Sequence, residues 1–196
     1  MKIETLTVGA YATNCYIVSL DGRQDAIIID PGDEGDRIRA ALRGRKAAAV
    51  LLTHGHCDHT NALYDFAGTP IVMHPADESM LRDGERGLAV PMGLNTKEKP
   101  GATVLVEEGA RLEYAGMEIG VMHLPGHTPG SVAYRIGDAL FTGDTLFRRG
   151  YGRTDFPGGD FGQLRKSLRR LLKMDEDLRV YPGHGAVTGI FEERGY

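Results

Sequence analysis

Residues 53–59 read Thr-His-Gly-His-Cys-Asp-His, so three imidazoles and one carboxylate fall within six consecutive positions, 54–59. The apolar run 47–52 leads into them, which is the pattern of a short buried strand that runs out into a ligand-dense loop. Burying an unpaired imidazole costs free energy, and burying a lone carboxylate costs more. A divalent cation removes both costs, because neutral His and ionised Asp are ligands for zinc, iron or manganese. His54 and His56 are two apart, so an extended loop turns both the same way, and Asp58 and His59 continue the turn toward a second ion. The plainer alternative is a polar turn whose histidines cap the next helix, but imidazoles are rarely this dense without a metal.

The same design recurs along the chain. Strand 118–122 runs into Leu124-Pro125-Gly126-His127, strand 139–141 into Thr142-Gly143-Asp144, and strand 178–181 into Pro182-Gly183-His184. The apolar strand 26–29 ends at Asp30-Pro31-Gly32. Asp30 there can orient a ligand or simply bond its own turn. Further strands are expected over 3–8, 15–18, 71–73, 104–106, 111–114 and 132–136, the last forming a hairpin with 139–141 about Gly137-Asp138. Helices are expected over 33–43, 60–67, 76–82, opened by Pro75 with Asp77 and Glu78 favourable in its first turn, and 160–174. The last has Leu164, Leu168, Leu171 and Leu172 on one face and a solvated basic face opposite. Segment 84–101 lacks periodicity and reads as a long binding loop or lid. His74, at a strand end, reads as structural, and His123, within a strand, as a core histidine or one that supports a ligand. Cys15 and Cys57 read as buried fillers.

Composition narrows the class. A chain of 196 residues with 41% hydrophobic and 26% charged residues is long enough for one domain with a sizeable core, expected over 1–196. A formal charge of −4 gives no general attraction to nucleic acid. Two cysteines make no disulfide framework and point to a reducing compartment. No apolar h-region follows the start and no run approaches a membrane span, so a cytoplasmic protein without membrane contact is expected.

The set His54-x-His56-x-Asp58-His59, His127, Asp144 and His184 resembles the metallo-β-lactamase superfamily. The resemblance implies an α+β fold, a four-layer αβ/βα sandwich of two mixed β-sheets with outer helices and a dinuclear site at one edge. It implies two divalent ions, zinc first and iron or manganese as alternatives. His54, His56 and His127 would hold one, Asp58, His59 and His184 the other, and Asp144 would bridge them. Asp144 stands where the common zinc β-lactamases use Cys, so the chain looks more like the glyoxalase II branch. The run from Gly143 to Arg153 is similar to the segment around the bridging Asp in hydroxyacylglutathione hydrolases. Arg153 is carried over from that branch as a substrate-binding residue, with Tyr151 beside it as a second substrate-binding candidate. The helical C-terminal domain that longer members use for glutathione is not expected here, and the short subgroup of that branch is the nearer resemblance.

What this implies chemically is hydrolysis of a small thioester such as S-D-lactoylglutathione by a metal-bridging hydroxide, with Asp58 and Asp144 as the catalytic carboxylates. Two divalent ions, two carboxylates and one hydroxide leave a charge of about +1, which lowers the pKa of bound water toward ~7 and stabilises an oxyanion. A thiolate leaves readily, since its thiol has a pKa of roughly 8.5, so no strong general acid is required. The main alternative is a persulfide dioxygenase of the same fold, which Gly152–Phe156 also resembles, with one iron on His54, His127 and Asp144. Other ester or lactone hydrolases and a metallo-nuclease are further alternatives, and the low basicity counts against the last. A monomer or small homo-oligomer is expected.

Overall fold

The computed structural model describes residues 1–94, 99–175 and 177–195. Two six-stranded sheets account for the strands. The first runs β1 (Lys2–Val8), β2 (Thr13–Ser19), β3 (Asp25–Ile29), β4 (Lys46–Leu51), β5 (Ile71–Met73) and β6 (Val104–Leu105), side by side in chain order. It is antiparallel from β1 to β3 and parallel from β3 to β6. The second holds β7 (Arg111–Tyr114), β8 (Met117–His123), β9 (Val132–Ile136), β10 (Ala139–Gly143), β11 (Arg179–Pro182) and β12 (Thr188–Gly189). Only its β10–β11 pair is parallel. Parallel neighbours need a crossover. Helix α1 (Gly35–Ala41) supplies one between β3 and β4, and helix α3 (Phe161–Leu171) supplies one between β10 and β11.

Alternation along each strand builds the layers. Ile27, Ile29, Ala49, Leu51 and Val72 face inward and meet Val121, Val132, Tyr134 and Phe141 of the second sheet. Their neighbours Ala26, Ile28, Val50, Ile71 and Met73 face outward under Ile38, Leu42, Leu63 and Phe66. On the far side Ala133, Leu140 and Val180 lie under Leu171 and Ile190. Helix, sheet, sheet, helix is the expected αβ/βα sandwich, and both sheets are mixed. Each fully buried Ile of β3 contributes roughly 2 kcal/mol of hydrophobic stabilisation, so Ile28→Ala would open a cavity beneath α1.

Three local expectations are corrected. The helix expected over 33–43 spans only Gly35–Ala41, because Glu34 takes a left-handed φ of 53°. The helix expected over 60–67 begins earlier and in two pieces, α2 (Cys57–Thr60) and a 3₁₀ turn at Leu63–Phe66. Asp58 and His59 therefore sit on a helical turn. Strand β12 and helix α4 (Ile190–Glu193) were not foreseen, since two- and four-residue elements carry no readable period. The 84–101 loop folds as turns over 84–93 with Leu88 and Ala89 buried, and residues 95–98 lie outside the described residues. Among the described residues, no helix is long and apolar enough to cross a membrane.

Candidate metal centre

The seven sequence-derived ligands come from four strand ends. His54, His56, Asp58 and His59 follow β4, His127 follows β8, Asp144 follows β10 directly, and His184 lies two residues beyond β11. β8, β10 and β11 run the same way, so their C-terminal ends share one edge of the second sheet. Two contacts fasten that edge to the first sheet. Asn14 N of β2 donates to Gly183 O at 2.7 Å, and Val132 N donates to Thr53 O at 2.8 Å. Asn14 Nδ2 also donates to the carbonyls of Pro182 and Gly185, which fixes the His184 loop.

The side chains converge. His127 Nε2 lies 2.9 Å from His56 Nδ1, and His59 Nε2 lies 3.4 Å from His184 Nε2. Asp144 is common to both ends, at 3.3 Å from His59 Nε2, 3.6 Å from His127 Nε2 and 3.5 Å from His184 Nε2. Asp58 Oδ2 is 3.3 Å from His184 Nε2. Three overlapping groups have metal-ligand spacing: His54–His56–His127, His54–His59–Asp144 and Asp58–His59–His184. Space is too tight for side chains behind them. A Cβ on Gly183 would stand 2.2 Å from Asp144 Oδ1, and one on Gly32 would stand 1.9 Å from the Asp58 carbonyl oxygen.

The surroundings fit a cation. His54 Nε2 and Asp144 Oδ1 are buried with no hydrogen-bond partner, a cost the fold would not carry for packing alone. Three histidines have the opposite nitrogen held: His54 Nδ1 by Thr53 Oγ1 at 3.1 Å, His59 Nδ1 by Asp30 Oδ2 at 2.9 Å, and His127 Nδ1 by the Arg153 carbonyl at 2.7 Å. That is how ligating imidazoles are oriented. Asp30 also accepts from Thr53 N and Thr53 Oγ1 at 2.8 and 2.6 Å, so it orients ligands and does not merely bond its own turn.

The electrostatics agree. Burial and neighbouring imidazoles push His54 well below the ordinary imidazole pKa, and burial with His127 pushes His56 down to about 3. Both are neutral, lone-pair donors at neutral pH. Burial works against charge on His184 too, but Asp144 and Asp58 outweigh it and raise the ring to about 9. His59 is raised by Asp58, Asp144 and Asp30 against its burial. Burial disfavours charge on Asp144, yet His59, His184 and His127 hold it well below the usual carboxylate range. Positive charge is thus wanted at the His59–His184 end.

Five of the ligands, His56, Asp58, His127, Asp144 and His184, line a cleft of about 560 Å³, with Tyr11, Leu88, Pro91, Met92, Phe147 and Phe156 around it. Arg153 lines it and pairs with Asp155 at 2.7 and 2.6 Å, its guanidinium 4.1 Å over the Phe156 ring. Tyr151 is not among the lining residues. It lies 51% exposed against Phe161. Cys57 is buried beside Met92, and His74 and His123 stack on each other at 4.0 Å.

Sequence reasoning missed Asp77. It sits in a 3₁₀ turn (Pro75–Leu81), fully buried, and accepts from Gly55 N, Thr128 Oγ1 and Gly130 N at 3.1, 2.6 and 2.7 Å. It ties the His54–His56 loop to the His127 loop. On the sequence it looked like a first-turn acid favourable to the helix N-terminus, and nothing local marked its burial.

Residues 8–184 match the family model of the Metallo-beta-lactamase superfamily. The chain belongs to that superfamily, and is a metallo-hydrolase of it. It is 36% identical to a Haemophilus influenzae protein named hydroxyacylglutathione hydrolase GloC, over 99% of this chain and 95% of that one. Its fold is similar to that of BLEG-1, a B3 metallo-beta-lactamase, with a TM-score of 0.91 and 31% identity over 100% and 97% of the two chains. It is also similar to TTHA1623, solved in a di-iron-bound form, with a TM-score of 0.87 and 37% identity over 97% and 96%.

Proposed function

We propose that the protein is a thioester hydrolase that cleaves hydroxyacyl thioesters such as S-D-lactoylglutathione, with two divalent cations at the floor of the cleft. His54, His56 and His127 would hold one, Asp58, His59 and His184 the other, and Asp144 would lie between them. The di-iron form of TTHA1623 and the overlapping ligand groups support the pair. Bound there, divalent cations supply a nucleophile from water at neutral pH and positive charge opposite a developing oxyanion.

One observation carries the choice of substrate. Apart from the ligands, the titratable side chains lining the cleft among the described residues are Tyr11 and Arg153. Tyr11 donates to the Met92 carbonyl at 3.2 Å. The described lining residues include no carboxyl or imidazole outside the ligand set to protonate a leaving group. An amide nitrogen or alkoxide must be protonated to leave, whereas a thiolate need not be. The resemblance to GloC points the same way. Arg153, the one Arg or Lys among the described lining residues, is placed to meet a carboxylate of the thiol carrier once it exchanges Asp155.

Metal analysis and a substrate test on protein purified without chelator decide the matter. Near two metals per chain with loss of thioester absorbance from S-D-lactoylglutathione is the expected result. One iron per chain with oxygen uptake on glutathione persulfide would replace this reading by the dioxygenase. Preferential opening of a β-lactam would replace it by a lactamase.

A further inference from the structure

We infer that the cleft binds the acyl group of its substrate through an apolar chain longer than lactoyl, so that the preferred thioesters carry alkyl or aryl acyl groups. The inference rests on the thioesterase reading and replaces its lactoyl example by acyl groups of a more apolar class. A cleft of about 560 Å³ is in the range that encloses a sizeable organic ligand. Among the described lining residues the one non-ligand cation, Arg153, is already engaged by Asp155. A polar carrier such as glutathione, with two carboxylates and an ammonium, finds little else to hold it among the described lining residues. The apolar wall is where binding energy is available.

That wall is built beside the reacting position. The Phe156 ring meets His56 edge-on at 5.9 Å and the Phe147 ring meets His184 at 5.9 Å, so the ligand cluster is flanked by phenyl groups at both ends. Phe156 continues into a cluster with Cys57, Leu88, Ala89 and Met92. The loop carrying Leu88 and Met92 is fixed to the ligand turn, since Cys57 N donates to Gly87 O at 2.8 Å. Tyr11 OH, at the other side of the cleft, donates to Met92 O. The apolar surface is therefore held in place, next to the ligands, with Met92, Phe147 and Phe156 partly exposed. A hydrocarbon chain attached to the scissile carbonyl would cover it. In hydrolysis the water oxygen bonds to that carbonyl carbon and the C–S bond breaks with its electron pair on sulfur. Of the water's two protons, one ends on the thiolate and the other is released to solvent as the acyl chain leaves as a carboxylate.

The test separates binding from turnover. Calorimetric titration of the metal-loaded protein with S-methyl-, S-butyl-, S-hexyl- and S-octylglutathione should show Kd falling about fourfold per methylene, the worth of burying one CH₂. Replacing Phe156 or Met92 by Ser should flatten that slope, and a folded variant that keeps the full slope would count against the assignment. A flat series in the unaltered protein overturns the inference, and turnover of S-D-lactoylglutathione in the same preparation would leave the thioesterase reading standing. kcat/KM should rise in parallel from butyryl to hexanoyl to octanoyl thioesters. Falling Kd with no turnover of any thioester would overturn the thioester reading and, with it, the substrate class inferred here.

Discussion

Asp144 is the carboxylate that faces His59, His127 and His184 together. Asp144→Ala leaves those rings without the charge that holds them, and should abolish hydrolysis and lower metal content in the purified protein. An active, metal-replete variant would sink the shared-ligand role. Asp30→Asn is milder: it weakens the bond that orients His59, and should cost about 10- to 100-fold in metal affinity, read by chelator competition. The raised pKa of His184, about 9, gives a pH dependence of its own. In chelator-treated protein the ring holds its proton at pH 7, and an incoming cation must displace it. Apparent metal affinity should therefore strengthen by about tenfold per unit from pH ~7 toward ~9. The linkage to stability has the opposite slope. A raised pKa stabilises the metal-free fold fully below about pH 6.5, and that contribution is lost as pH rises through about 9. A metal-free Tm that climbs over this window would contradict it.

At the scale of elements, the centre depends on close approach between loops. Asp77 joins two of them, with all three of its donors buried. Asp77→Ala strands those donors at about 1–3 kcal/mol each when no water replaces the carboxylate. It should lower Tm by several degrees, at roughly 2–4 °C per kcal/mol for a chain of this size, and weaken metal binding as well. Asp77→Asn keeps the volume and should fall between. Gly183 works by having no side chain: with a Cβ 2.2 Å from Asp144 Oδ1 and 2.7 Å from His59 Cε1, Gly183→Ala must push β11 away from the centre. It should cost metal and activity while the helices keep their circular-dichroism signal.

Across the whole molecule, the ligands bridge both sheets, so a cation binds the folded chain and not the unfolded one. Chelation should lower Tm by roughly 10 °C, and divalent zinc, iron or manganese should restore it. That follows from about 4 kcal/mol of linkage at a thousandfold excess over Kd. Two tyrosines tie the sheets reciprocally. Tyr16 OH of the first donates to Pro182 O at 2.6 Å, and Tyr134 OH of the second donates to Leu52 O at 2.9 Å. Each carbonyl precedes a ligand loop. Each Tyr→Phe should cost about 1 kcal/mol, and both changes together should add, because they lie on separate strand ends.

The ligand types, their order and the strand-to-loop pattern were legible in the chain, because metal chemistry restricts residue identity and a buried strand restricts hydropathy over a few neighbouring positions. So were β1 to β3, β4 and the β9–β10 hairpin, whose signals are local. What only the tertiary structure decided is which distant groups meet. Asp30 looked as much like a turn residue as an orienter of His59. Asp77 looked like a helix-terminus acid. Arg153 came to the cleft while Tyr151, two positions before it, turned to Phe161 instead. Those outcomes depend on how two sheets stack and on which loops then lie within a hydrogen bond of each other, and a sequence read along one dimension carries no record of that distance.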